Sequence, residues 1–341
     1  MISIVVPTLG RDSLGDLLAA LAAQVDGREG LEILLVDDRS TGGGELPVPG
    51  ALTACTKVLR GRGVGPAAAR NLGWRAARFS WVAFLDDDVV TASDWLDRLV
   101  ADLAVPDRVG GVQGVVRVPL PADRRPTDWE RATAGLAEGE WITADMTYRR
   151  AALAAVGGFD ERFPRAYRED AELAHRIRLT GWRLVHGNRT VTHPVRAEGP
   201  WVSLRSQRGN ADDALLRRLY GSGWREELGV PAGRRHRHAA TTAAGAVAVA
   251  ALAARLAASG SRAARPFAGA AALAGAVWLA GTARFAYERI APGPRTRAEV
   301  TAMAVTSATI PPLAVTYWLR GWWHGRHEAP CQLVRHRDGV R

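Results

Sequence analysis

The chain opens on "ISIVVPT" (residues 2–8), an unbroken apolar run whose length and β-branched content predict a buried strand. "SLGDLLAALAAQ" then sets its apolar residues at helical spacing, with Ser13 expected as the N-cap. The alternation continues. "LEILLVDDRS" reads as a second strand that runs into carboxylates, and "ALTACTKVLRG" as a weaker third. "GPAAARNLGWRAAR" is helical, with Pro66 suited to the first turn. "WVAFLDDDVV" is another strand ending in acids, followed by a helix, "DWLDRLVADLA", and an extended stretch, "VGGVQGVVRVPLP". Residues 121–140 are polar and rich in Pro, Asp and Arg, which predicts a mobile loop. "ITADMTYRRAALAAVGGFDERF" leads to "RAYREDAELAHRIRLTGWRLV", a helix ended by Gly181, and "RLVHGNRTVTHPV" closes this part as a strand. Strands alternating with helices predict an α/β fold with a parallel sheet, whose ligands bind beyond the carboxyl ends of the strands. Asp37–Asp38 and Asp86–Asp88 both fall at such ends.

The pattern changes near Arg234, which divides the chain into a catalytic domain, residues 1–233, and a membrane-associated helical region, residues 234–341. Three Ala-rich segments follow: "AATTAAGAVAVAALAARLAA", "PFAGAAALAGAVWLAGTARFAY" and "VTAMAVTSATIPPLAVTYWL", the last containing Pro311–Pro312. Each is about as long as a membrane is thick when helical. The alternative is an Ala-rich hairpin packed on the domain. Gly269, Ala272, Gly275 and Gly281 would let helices approach closely in lipid. Arg255 would snorkel to the headgroups, and Trp318, Trp322 and Trp323 suit an interface. Of the formal net charge of +10, the segment after residue 233 carries more than all, with 15 Arg against 4 acidic residues. The first part is nearly neutral, so no nucleic-acid partner is expected. Positive-inside counting puts "RRHRH" in the cytoplasm, and the basic end "VRHRDGVR" favours the same side. That parity suits two spans plus a re-entrant or interfacial third segment.

Along an extended chain Asp86 and Asp88 would share one face and Asp87 the other. Two such carboxylates suit a hard divalent cation that completes its shell with phosphate oxygens and water. The two cysteines, Cys55 and Cys331, have no metal-ligand spacing and fit a reducing compartment. The N-terminus lacks a basic n-region and a long apolar h-region, so a signal peptide is not expected.

Taken in order, "VVPTLGR", "LLVDDRS", "GVGPAAARNLGW", "FLDDDVV", "GGFDERF", "RED" and "THP" resemble the inverting family 2 glycosyltransferases of GT-A fold, over roughly residues 1–220. The resemblance implies a Rossmann-like nucleotide-diphospho-sugar transferase domain followed by membrane helices. It implies Mg²⁺ or Mn²⁺ as cofactor, a nucleotide-sugar donor, and a hydroxyl acceptor on a glycan or lipid carrier of the cell envelope. It places Pro7, Thr8 and Asp38 at the nucleotide, with Asp37 structural beside them, and Arg70 and Asn71 nearby. Asp86 and Asp87 would serve the ribose and the metal shell, and Asp88 would ligate the metal, with His193 completing the shell. Asp170 would be the general base, with Glu169 beside it, although either could instead cap the following helix in a capping-box spacing with Glu172. Gly157–Asp160 would shape the acceptor side, while Trp141 and Asp145 depart from the family pattern there. Arg205 and Arg208 could meet a diphosphate or lipid phosphate. The enzyme implied is a metal-dependent glycosyltransferase at the cell membrane with its catalytic domain cytoplasmic. Two rivals are a nucleotidyltransferase, which would want a basic Gly-rich loop after the first strand, and a membrane scaffold with a decayed transferase domain.

Overall fold

The structure is a computed structural model and describes residues 1–25, 27–41, 43–262, 264–329 and 331. The basic end, residues 334–341, lies outside the described residues. Strand β1 (Ile2–Thr8) is followed by helix α1 (Ser13–Val25), strands β2 (Leu31–Asp37) and β3 (Thr56–Arg60), helix α2 (Pro66–Ala76) and strand β4 (Trp81–Leu85). Next come β5 (Val90–Thr91), α3 (Trp95–Asp102), β6 (Val109–Arg117), α4 (Asp128–Ala134), β7 (Asp145–Arg149), α5 (Arg150–Val156), α6 (Glu169–Leu179) and β8 (Arg183–Thr192). Alternation along β1 sends Ile4 and Val6 to one face, against Leu14, Leu17 and Leu21 of α1. Val5 goes to the other face, with Trp74, Phe84, Tyr148 and Phe159. Pro66 sits in the first turn of α2 as its missing N–H allows.

The sheet has eight strands in the order β3-β2-β1-β4-β7-β6-β8-β5. It is mixed, which corrects the expectation of a parallel sheet: β7 runs antiparallel to both β4 and β6, and β5 antiparallel to β8. The cause is the connection through residues 118–144, which turns the chain back at the edge where β6 ends. That segment therefore lies over the carboxyl ends of β1, β2 and β4. It is not the loop its composition predicts. Thr127 accepts from the Glu130 N–H and Glu130 accepts in return from the Thr127 N–H, a capping box that starts α4. Ser13 does not cap α1 either; it is the first helical residue, and its hydroxyl has no partner.

After β8 the chain forms α7 (Val202–Arg205), α8 (Asn210–Tyr220) and α9 (Trp224–Glu227), then α10 (Arg235–Ala257), α11 (Ala264–Ile290) and α12 (Arg297–His324). The last three are long and apolar enough to cross a membrane, by length and composition. Their surroundings differ. The most apolar stretch is 6% buried in α10, unburied in α11 and 39% buried in α12. Val249, Leu256 and Leu273 stand exposed, so α10 and α11 are not a hairpin packed on the domain. They pack on each other. A Cβ on Gly281 would collide with Thr241, as its expected role requires, whereas Gly269 and Gly275 face open space. Arg234 pairs with Glu288, joining the start of α10 to the end of α11.

Helix α12 instead lies along the first part of the chain, against α7 and α8. Ala302, Met303, Thr306, Ile310 and Ala314 form one buried face at helical spacing. Near its start Glu299 accepts from the Asp128 N–H (2.9 Å), and at its end Gly321 meets the backbone of Ala211 in α8 with no room for a side chain. Arg289 of α11 donates to Asp128 of α4 (2.7 Å) and to Thr306 of α12 (2.8 Å). Replacing Gly321 with Leu should therefore push α12 off α8. Overpacking of this kind costs about 1–3 kcal/mol, and thermal unfolding of the detergent-solubilised variant should begin earlier. An unchanged melting curve would mean that α12 does not press on α8.

Candidate active site

The parallel register pairs Thr8 with Asp37 and Val5 with Phe84, so the ends of β1, β2 and β4 open on one edge. There a cleft of about 2050 Å³ runs from the strand ends to the helices of the C-terminal region. Pro7, Thr8, Asp38, Arg70, Asp86, Asp87, Asp88, Glu169, Asp170 and His193 all line it. Asn71 does not. Its side chain accepts from the Phe159 N–H (2.8 Å) and the Trp74 indole (2.9 Å), and donates to the Phe159 carbonyl (2.8 Å) and Glu161 (2.9 Å). It is a buried tie between α2 and the Gly157–Asp160 turn, where Gly158 (φ 84°) leaves no room for a Cβ. Spacing in "ARN" gave no sign of which face Asn71 would occupy.

The three aspartates after β4 lie where the strand gives way to a turn, so simple alternation does not hold. Each has its own partner. Asp87 is buried and accepts from Thr8 Oγ1 (2.7 Å), the Leu9 N–H (3.3 Å) and Arg11 (2.7 Å). Arg11 is thereby committed to a carboxylate, which weakens the nucleotidyltransferase reading. Asp86 turns to Arg70 at 2.7 Å, and Asp88 lies 3.2 Å from Arg196 and 3.4 Å from His193. On β2, Asp37 is held by Arg39 and Arg60, both at 2.8 Å, and the Arg39 hydrogen bond lowers its pKa to about 2. Asp37 is structural, as expected. Asp38 faces the cleft and accepts from the Gly63 (2.8 Å) and Gly65 (3.0 Å) N–H groups. Two of its lone pairs remain for a ligand.

Arg70 joins the two halves of the site. It is 2% exposed and donates to Asp86 and to Glu169, each at 2.7 Å, so α2 ties the end of β4 to the start of α6. Burial pushes the Glu169 carboxyl up, and the Asp170 charge adds to it, against the pull of Arg70. Asp170 is also pushed up, by burial first. One Asp170 oxygen accepts from the Ala171 N–H at 2.8 Å; the other has no hydrogen-bond partner among the described residues. Neither acid caps α6, whose N-cap is Arg168, without a side-chain cap bond and at a left-handed φ of 74°. A non-glycine residue there is strained, as functional segments often are.

Asp88 and His193 make a candidate metal pair. His193 Nδ1 faces the Pro194 carbonyl oxygen at 3.2 Å, which can only accept, so Nδ1 carries a proton and Nε2 points at Asp88. Two acceptors held this close are relieved by a cation or a proton between them. Burial, and then the Asp86 charge, pushes the Asp88 carboxyl up. Asp86 does not join the pair, because Arg70 holds it. Among the described residues no group of three or more His, Cys, Asp or Glu is gathered around one point. The donor set thus fits an ion that takes its other ligands from phosphate and water.

Trp141 and Asp145 prove structural. Asp145 is fully buried between Arg189 (2.7 Å) and the Trp95 indole (2.8 Å), and Trp141 stacks on His186 at 5.0 Å. Arg205 pairs with Glu198, and neither it nor Arg208 lines the cleft. Sequence reasoning missed Arg196, three residues past His193, and had no signal for the Asp212–Arg165 and Asp213–Arg225 pairs beside the "RED" segment. Replacing Arg70 with Met should strand Asp86 and Glu169. Breaking a buried ion pair this way costs about 3–5 kcal/mol. A lysine keeps the charge but cannot fork, so Arg70→Lys should melt between wild type and Arg70→Met; equal melting of all three would remove the clamp.

Comparison with known proteins follows this geometry. The profile of glycosyl transferase family 2 matches residues 3–171. The pre-mycofactocin glycosyltransferase of Mycobacterium tuberculosis, in strains CDC 1551 / Oshkosh and ATCC 25618 / H37Rv, is 31% identical over 183 residues, 49% of this chain and 38% of the relative. The match thus spans well under half of that relative's length. Among solved structures, the mannosyltransferase PcManGT from Pyrobaculum calidifontis, in complex with GDP-Man and Mn²⁺, superposes with a TM-score of 0.55 at 23% identity, over 93% of this chain and 86% of that one. The likeness extends to the fold, a GT-A sheet followed by long apolar helices. Residues 3–171 are a glycosyl transferase family 2 domain.

Proposed function

We propose that the protein transfers a glycosyl group from a nucleotide-sugar to a hydroxyl acceptor with inversion, at the cytoplasmic face of a membrane. The observation that carries this reading is Asp170: a carboxylate in the cleft, opposite the acidic strand ends, with one oxygen unpartnered. In a single displacement the acceptor oxygen attacks the anomeric carbon as the bond to the diphosphate breaks. The hydroxyl proton passes to the free oxygen of Asp170. Its raised pKa suits that task, since a base works best when its pKa lies nearer the operating pH. Glu169, held by Arg70, positions Asp170. Thr8 and Asp38 would meet the nucleotide, and Asp86 and Asp87 the ribose side. A divalent cation held by Asp88 and His193 would neutralise charge on the departing diphosphate. The GDP-Man and Mn²⁺ bound by PcManGT support both the donor class and the ion, Mg²⁺ or Mn²⁺.

The catalytic domain is proposed as residues 1–233 and the membrane region as residues 234–341. Within the latter, α10 and α11 are proposed to span as a hairpin with the α11–α12 junction on the catalytic side. The pairing of Arg234 with Glu288 and of Arg289 with Asp128 supports this arrangement. Helix α12 then lies between protein and lipid, which accounts for its one buried face.

The test is nucleotide release from a panel of nucleotide-sugars with Mg²⁺ or Mn²⁺. Turnover should stop in EDTA; turnover without metal would remove the ion from the mechanism. Asp170→Asn keeps size but cannot take a proton. It should bind donor normally and lose roughly 10²–10⁴-fold in transfer, and near-wild-type transfer by that variant would place the base elsewhere.

A further inference from the structure

The cleft changes sign along its length. At the strand ends its walls are carboxylates, and the arginines there have acidic partners: Arg11 on Asp87, Arg70 on Asp86 and Glu169, Arg196 on Asp88. At the other end, where α8 meets the start of α10, the wall carries Arg217, Arg225 and Arg235, with Trp318 of α12 beside them. Arg225 pairs with Asp213, which Arg168 also approaches at 3.5 Å. That acid is taken. Arg217 and Arg235 have no carboxylate partner among the described residues. Arg235 reaches only a ring nitrogen of His236, at 3.3 Å, and its guanidinium lies 4.8 Å from the Trp318 ring centroid. Both arginines are half-buried, and Arg235 feels the like charges of Arg217 and Arg225 together with the opposite charge of Asp213, which Arg225 already holds.

Two half-buried guanidiniums facing one cavity without a counter-ion are unfavourable by themselves, and a phosphate relieves them with charge-assisted bonds. Trp318 supplies an apolar wall next to that charge, and the first exposed bulky apolar residue of α10, Val247, lies about three turns further on. We propose that Arg217 and Arg235 form a second anion site, which binds a phosphate group carried by the acceptor at a distance from its attacking hydroxyl. The proposal rests on the reading of the protein as a transferase acting on a hydroxyl acceptor. It adds a substrate class: a phosphorylated acceptor that enters from the helix end while the nucleotide-sugar occupies the strand end. The acidic and basic ends would then sort the two substrates, since a diphosphate without its cation is repelled at one and a phosphate drawn to the other.

The test is calorimetric titration of the full chain in dodecyl maltoside and EDTA, with dodecyl phosphate and separately with inorganic phosphate. Saturable binding should weaken about tenfold or more in Arg217→Gln and in Arg235→Gln, the scale of a lost charge-assisted bond. Because the two charges repel in the wild type, neither variant should melt lower. GDP or UDP binding with Mn²⁺ should be unchanged in both. Tight dodecyl phosphate with weak inorganic phosphate assigns a lipid acceptor, and similar affinities assign a soluble phosphorylated one. No saturable binding of either probe, or a double variant that binds both like wild type, overturns the site. No donor is present, so Asp170→Asn should bind these probes normally. A wild type that binds phosphate but releases no nucleotide from any donor counts against the transferase reading alone.

Discussion

The buried guanidinium of Arg70 is the contact on which the site depends. Asp86 follows one strand and Glu169 opens a helix some eighty residues later, and among the described residues nothing else bridges them directly. Two carboxylates facing a cleft repel, and burial raises the cost of their charge. One planar fork offsets both at once, which a point charge on a flexible stem cannot do. The same solution recurs around the cleft, with Asp87, Asp88, Asp212 and Asp213 each matched to an arginine. The chain can therefore gather many acids at one edge of a sheet and still fold. Beside that clamp Glu169 keeps one buried oxygen without a hydrogen-bond partner, and Asp170, which takes no part in the clamp, keeps one as well.

Much of this was legible in the chain. Strands β1, β2 and β4 are apolar runs too short for helices, and the acids at the ends of β2 and β4 mark the ligand-binding edge whatever the sheet order. Glu169 and Asp170 were visible as a pair through the match of "RED" to the family pattern, and they open α6. The direction of β7 was not, since it depends on pairing Leu85 with Asp145 across sixty residues, a contact that leaves no local periodicity. The start of α4 was readable, because Thr127 and Glu130 have capping-box spacing, but Pro, Asp and Arg on either side gave the stretch the composition of a loop. Asn71 shows the opposite limit. A motif fixes its helix, and only packing against Phe159 and Trp74 decides that its amide turns inward.

The three C-terminal helices illustrate how composition alone misjudges environment. They are similar in length and apolar content, yet only α12 has a face made for protein. Its small residues, Ala302, Ser307, Ala314 and Gly321, let it settle on the first part of the chain, where Glu299 at one end accepts from the start of α4 and Gly321 at the other lies against the α8 backbone. Helices α10 and α11 pack on each other and touch α12, and elsewhere they keep bulky apolar residues such as Val249, Leu256 and Leu273 outward.

The docking of α12 on α8 also orders events in time. Synthesis runs from the N-terminus, and α8 is complete about a hundred residues before α12, an interval on the order of 5–20 s at typical elongation rates. During that interval the face of α8 that α12 will cover stays bare, while the two long apolar helices between them are made. A ribosome that stalled within α11 would leave a nascent chain with its sheet paired and one flank open. Closure of the α8 face thus waits on α12, and the order of the segments in the gene puts two long apolar helices between the globular part and the helix that completes it.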